Sequence, residues 1–276
     1  MRNVPVAVHA DDVVFAHDGR VAIEASTFDI PMGQITTLIG PNGSGKSTLL
    51  DGIAGLLQPT SGSIEVSPAD QQRISYVLQT KKVNDTLPVT VREVVTMGRY
   101  ASRGAYGRLN DVDRDTVDES MERMSITPLA DRHLNELSGG QRQRVFVAQG
   151  LAQDHDLLLL DEPMTGLDFI STQAIDEVIH DEHAHGCTVV VSTHDLSEAK
   201  AADHVVLLSG AVVASGSPQE VLTPDNLAKA YGGTAVHYEG KGLVVDDPAH
   251  QPAEERHLHR DRTIHTEAFP DERHGE

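Results

Sequence analysis

Ile35-Thr36-Thr37-Leu38-Ile39-Gly40-Pro41-Asn42-Gly43-Ser44-Gly45-Lys46-Ser47-Thr48 is the stretch that decides the fold. Its aliphatic and β-branched opening predicts a buried strand, and Lys46 to Leu57 carries a helical pattern. A glycine-rich loop ending in Gly-Lys-Ser between a strand and a helix is a phosphate-binding loop. Its glycines let backbone N–H groups wrap a β-phosphate without Cβ clashes, and the helix N-terminus adds partial positive charge. Lys46 is placed to reach the β- and γ-phosphates, Ser47 to offer a hydroxyl to Mg²⁺, and Thr48 to reach the α-phosphate.

Outward from this loop, strand and helix patterns alternate. Val13 to Phe15 and Val21 to Ile30, separated by His17-Asp18-Gly19-Arg20, read as a hairpin. Further strands are expected at Gly62 to Val66, Ile74 to Leu78, Leu157 to Leu160, Thr188 to Ser192 and Val205 to Leu208. Such alternation implies an α/β core with a parallel sheet, whose ligands bind at the carboxyl ends of the strands. From about Thr80 to Arg132 the β-runs stop, and helices are expected over Val91 to Gly98 and Asp111 to Met124. Thr90 and Glu93 form a capping box at the start of the first.

Leu157-Leu158-Leu159-Leu160-Asp161-Glu162-Pro163 is an apolar strand that delivers two carboxylates at its end, where packing gives no reason for them. Asp161 is expected to hold Mg²⁺ through water beside Ser47, and Glu162 to polarise a water for attack on the γ-phosphate.

Leu137-Ser138-Gly139-Gly140-Gln141 narrows the choice among nucleotide hydrolases. With it the chain resembles the ATP-binding-cassette (ABC) ATPases over roughly Val4 to Tyr231. The resemblance implies a P-loop ATPase of α/β class: a mostly parallel sheet, an antiparallel β subdomain and an inserted all-helical subdomain. The ATPase domain would span residues 4–240, with the helical part at about 80–150. It also implies that Ser138, Gly139, Gly140 and Gln141 complete the nucleotide site of an opposite protomer. Gln79 matches the Q-loop glutamine that touches Mg²⁺ and the attacking water. Asp168, in Thr165-Gly166-Leu167-Asp168, matches the D-loop that crosses the dimer interface. His194 matches the switch histidine that contacts the γ-phosphate. The chain departs from the family at the adenine-stacking tyrosine, where the turn alignment places His17; Phe15 shares its strand face and reads as core.

Composition sets limits on partners. The 276 residues hold 22 Lys+Arg against 42 Asp+Glu, a formal net charge of −20, and no basic block appears. That field repels nucleic acid, so none is expected as a partner. No apolar run approaches a spanning helix, and Met1 to Asp12 holds no signal-peptide core. Cys187, the one cysteine, reads as a small core residue, and His180, His183 and His185 as surface residues on a helix end. The segment 244–276 carries nine acids, four arginines and five histidines, and reads as a flexible, solvated acidic tail rather than a metal-sensing arm.

One cassette, with no long coiled-coil insertion, fits transport better than translation or DNA repair. Pro88 to Tyr100 and Gly104 to Arg108 resemble the branch that serves metal ions and metal chelates. These residues are expected to border the groove that receives a permease. The expected protein is therefore the ATP- and Mg²⁺-dependent subunit of an importer, a homodimer of cassettes on the cytoplasmic face of the membrane. Separate permease subunits and an extracytoplasmic solute-binding protein would complete it. Manganese or zinc is the first expectation for the cargo. Iron-siderophore or haem import, or a non-transport nucleotide switch, is the alternative.

Overall fold

The computed structural model describes residues 5–17, 19–67, 73–78, 88–103, 108–232, 236–239 and 242–245. Three strands, β1 (Val6–His17), β2 (Arg20–Pro31) and β4 (Ser61–Val66), form an antiparallel sheet with β1 in the middle. A second sheet has six strands: β3 (Ile35–Ile39), β5 (Ile74–Val77), β6 (Leu157–Asp161), β7 (Thr188–Thr193), β8 (His204–Leu208) and β9 (Val212–Gly216). Their order is β5-β6-β7-β3-β8-β9, parallel throughout except for β9, which runs antiparallel to β8. All five residues of β6 and all six of β7 are buried, as expected for strands covered on both faces.

Register then positions the site. Ile39 lies opposite Thr193, and Asp161 opposite Ser192. The residues that follow, Gly40, Glu162 and His194, therefore leave the sheet at one end, where α/β ligands bind.

One face of this sheet packs against the helical subdomain in a core that includes Val91, Val95, Met121, Val145 and Leu158. The other face packs against the antiparallel sheet and α1 (Lys46–Ile53) through Phe15, Leu50, Leu159 and Leu208. Helix α1 stops short of Leu57 because Gly55 turns to φ 73°, reversing the chain after Ala54. Phe15 is completely buried, and a Cβ on Gly52 would overlap its ring. β1 is far longer than the sequence suggested. Asp11 and Asp12, which break its apolar pattern, fall at a register shift between Ala10 and Val13, with Asp12 at φ 45°. A bulge lets these exposed acids sit in a strand that still buries Ala10, Val13 and Phe15.

The helical insertion contains α2 (Val91–Arg103) and α3 (Asp111–Arg123), followed by α4 (Gly139–Leu151). The Thr90 backbone N–H donates to Glu93 Oε2 at 2.7 Å and the Glu93 N–H to Thr90 Oγ1 at 3.3 Å, as the capping box requires. Arg99 is 3% exposed and ties three elements together. Its guanidinium donates to Asp113 at 3.0 Å, to the Ala152 carbonyl at 2.7 Å and to Asp154 at 2.9 Å. Within the segment expected to meet a permease, then, Arg99 serves internal packing, whereas Met97 and Tyr100 are exposed. Gly104 to Gly107 lie outside the described residues.

After β6 come α5 (Phe169–Ala184), α6 (Leu196–Ala201), α7 (Pro218–Val221) and α8 (Pro224–Tyr231). A hairpin of β10 (Val236–Glu239) and β11 (Gly242–Val245) follows, so Val244 and Val245 belong to a strand. No helix among the described residues is long and apolar enough to cross a membrane.

Candidate functional site

The phosphate loop is held from several sides. Gly45 takes φ 103° at the cap of α1, and Gly43 takes φ 78°, both in the region that glycine alone enters freely. Gly40 lies so close to the Leu208 carbonyl that a Cβ there would collide with it. The Ser44 N–H donates to the Pro41 carbonyl at 3.1 Å, and the Ser44 carbonyl accepts from Gly210 N–H at 3.0 Å. Asn42 and Gly43 are exposed at the tip. Lys46 is buried, and its Nζ donates back to the Gly40 carbonyl at 2.9 Å and the Pro41 carbonyl at 3.3 Å. Ser47 and Thr48 follow on the first turn of α1, half-buried.

The two carboxylates of β6 differ in environment. Asp161 is 1% exposed, and its Oδ1 accepts from Ser192 Oγ at 2.8 Å. The same Ser192 oxygen accepts from Glu162 N–H at 2.9 Å. Glu162 sits at φ 47°, a conformation that costs a non-glycine residue on the order of 1–3 kcal/mol and that Ser192 helps to enforce. Its carboxylate points back toward Lys46, with Oε1 3.9 Å from Nζ. A cavity of about 320 Å³ is lined by Glu162, Thr165, Gly166, Ser192, His194 and Glu198, among others. Glu162 and His194 therefore line one cavity. Gln79 lies outside the described residues.

Ser138 to Gln141 form the N-terminus of α4. Ser138 N–H donates to Gln141 Oε1 at 3.0 Å and Gln141 N–H to Ser138 Oγ at 3.3 Å, a reciprocal cap. The two side chains are spent on the helix itself, and Gly139 is exposed, with nothing near the position a Cβ would take. Gly140 instead packs onto the start of α5, where a Cβ would stand 2.6 Å from Asp168 Oδ2 and from Ser171 Oγ. Asp168 caps α5, accepting from Ser171 N–H at 2.9 Å and Ser171 Oγ at 3.0 Å, and these bonds hold its carboxyl below the usual range. The signature and the D-loop thus touch within one chain. None of Ser138 to Gln141 lines the cavity beside Glu162.

His17 is exposed at the end of β1, its Nε2 3.5 Å from Thr48 Oγ1, whereas Phe15 is locked in the core. Of the two rings, His17 alone borders the loop. Sequence reading missed two residues here. Ser192 holds the Asp161 carboxylate and the Glu162 backbone N–H, and only its pairing with Asp161 across two strands reveals this. Glu198, on α6, faces the same cavity; burial and the charges of Asp195, Asp176 and Glu162 raise its carboxyl above the usual range.

The ABC transporter family model matches residues 23–165. The chelated-iron transport protein YfeB of Yersinia pestis is 39% identical over 250 residues, 88% of this chain and 84% of that one. The manganese transport ATP-binding protein MntA of a Synechocystis strain is 38% identical (79% and 86% covered). The zinc transport ATP-binding protein TroB of Treponema pallidum is 39% identical (82% and 87%). Among solved structures, a transporter described as of metal-chelate type, in an inward-facing conformation, superposes with TM-score 0.73 at 28% identity, covering 86% of this chain and 95% of that one. A dimeric cassette in a post-hydrolysis state with ADP and Pi superposes with TM-score 0.67 at 26% identity (76% and 98%). With the phosphate loop, the acidic strand end and the capped signature helix in place, the chain belongs to the ABC transporter family and is an ATP hydrolase of that type.

Proposed function

We propose that the chain is the ATPase subunit of a metal-ion importer, with manganese or zinc as cargo, and that two copies close head to tail around two ATP molecules. The cargo reading rests on one observation: the relatives named above, at 38–39% identity, carry manganese, zinc and chelated iron in their names. Chelated iron, the cargo named for the Yersinia relative, is the second reading.

Within this proposal Lys46 binds the β- and γ-phosphates, Glu162 accepts a proton from the attacking water, and His194 orients that water and the γ-phosphate. Gln79 would join them from the Q-loop. The chemistry of the donor set fits Mg²⁺: the hydroxyl of Ser47 and the buried carboxylate of Asp161 are hard oxygen ligands. When bound with ATP the ion neutralises charge on the β- and γ-phosphates. The N–H groups at the start of α4, around exposed Gly139, offer the partner protomer's γ-phosphate an anion site. Phe169 (81% exposed) and Ile170 (69%), next to Asp168, supply an apolar patch for that contact.

The membrane partner has a candidate seat. A groove of about 370 Å³ runs between β5, α2 and α4, lined by Val77, Leu78, Val94, Met97, Phe146 and Gln149 among others. Its apolar lining and exposed Met97 suit a short helix of a permease subunit.

Uptake by proteoliposomes that contain this chain together with its permease subunits tests the cargo. Accumulation of manganese or zinc that requires ATP and this subunit is expected. Uptake of an iron chelate alone would replace the first reading with the second, and uptake of neither would remove both. Separately, His17→Ala is expected to weaken ATP binding by about 0.5–1.5 kcal/mol if its ring stacks on adenine, with His17→Tyr holding or improving affinity in calorimetric titration. Equal affinity in all three proteins would exclude stacking.

A further inference from the structure

At the opposite end of the sheet from the phosphate loop, three side chains of different chemistry converge. His155 precedes β6, Glu182 lies in the last turn of α5, and Cys187 precedes β7. One ligand atom from each, an imidazole nitrogen, a carboxylate oxygen and the thiol sulfur, lies within 4.8 Å of the others. All three are largely withdrawn from solvent, at 6% and 12% side-chain exposure for His155 and Glu182 and 7% for Cys187.

Hydrogen bonding around them fixes which atoms face inward. His155 Nδ1 stands 2.7 Å from the Gln153 carbonyl, which can only accept, so Nδ1 carries a hydrogen. Nε2 is then the ring's inward-facing nitrogen, 3.1 Å from Glu182 Oε2. The other carboxylate oxygen, Oε1, is taken by Arg123 Nη1 at 2.7 Å. A histidine whose far nitrogen donates to a backbone carbonyl and a carboxylate whose outer oxygen is held by a fixed donor form the usual support around metal ligands. Imidazole, thiolate and carboxylate together select a borderline ion such as Zn²⁺ over Mn²⁺, which prefers oxygen alone.

We propose that His155, Glu182 and Cys187 form a Zn²⁺-binding site, with three protein ligands and one open position, separate from the ATP site. The inference stands whichever metal the transporter carries. It gives Cys187 a role beyond that of a small core residue.

Cobalt substitution tests it on the full chain. The sequence has one cysteine, so a thiolate-to-cobalt charge-transfer band in the near ultraviolet reports Cys187 and nothing else, including the tail histidines. The wild type should show this band with one equivalent of Co²⁺, and Zn²⁺ should abolish it by displacement. Cys187→Ser, which preserves volume, should lose the band. His155→Gln and Glu182→Gln should each weaken Zn²⁺ binding by about tenfold or more in competition with a chromophoric chelator. As a second measurement, Zn²⁺ should raise the thermal midpoint of the wild type and leave that of Cys187→Ser unmoved, which remains readable if one of the other variants folds poorly. Absence of the band in the wild type, or a band whose affinity is unchanged by both His155→Gln and Glu182→Gln, would overturn the site.

Discussion

Glu162→Gln is expected to retain ATP binding and to lower turnover by about 10²–10⁴-fold, the range that a positioned general base contributes. The amide keeps the shape of the side chain and its place at φ 47°, so the Ser192 bond to the Glu162 N–H persists. What it loses is the ability to take a proton from water. A steady-state phosphate-release assay beside a nucleotide-binding titration separates the two effects. A variant that still turns over at the wild-type rate would move the base to another group, of which Glu198, in the same cavity, is the candidate.

Lys46→Ala should act earlier, on binding itself. Its ammonium is buried, and its partners here are the Gly40 and Pro41 carbonyls at 2.9 and 3.3 Å, with Glu162 Oε1 3.9 Å away. Entering phosphates replace these carbonyls by charged oxygens. Two charge-assisted bonds at about 1.5–3 kcal/mol each predict ATP affinity lower by roughly 10²–10⁴-fold, with hydrolysis at background. A fluorescent ATP analogue measures the first. Unchanged affinity would mean that the backbone N–H groups of the loop hold the nucleotide unaided.

How far the sequence reveals this site depends on how its chemistry is distributed along the chain. The phosphate loop and Asp161-Glu162 are contiguous, and each follows a strand whose apolar run marks the sheet, so both are readable without coordinates. Ser192 is not, because its role exists only through the parallel register that sets it opposite Asp161. His155 and Cys187 meet Glu182 for the same reason, across the starts of two strands and the end of a helix. β1 was hidden by two acids on a bulge, and β9 by the weak pattern Val-Val-Ala-Ser-Gly on an edge. Arg99 lies in the segment expected to border the permease groove, and only packing among α2, α3 and the end of α4 shows it buried with Asp113. Residue type and spacing specify contiguous chemistry, whereas contacts between elements await the topology.

We propose that one chain cannot complete its own site and that the signature helix α4 of one copy faces the phosphate loop of the other; within one chain Gly140 of α4 packs on the start of α5. Light scattering of purified Glu162→Gln with ATP and Mg²⁺ tests it most directly. Slow hydrolysis should trap a dimer that reverts to monomers when ATP is replaced by ADP. A Glu162→Gln chain that binds ATP yet stays monomeric at every protein concentration would contradict the head-to-tail account.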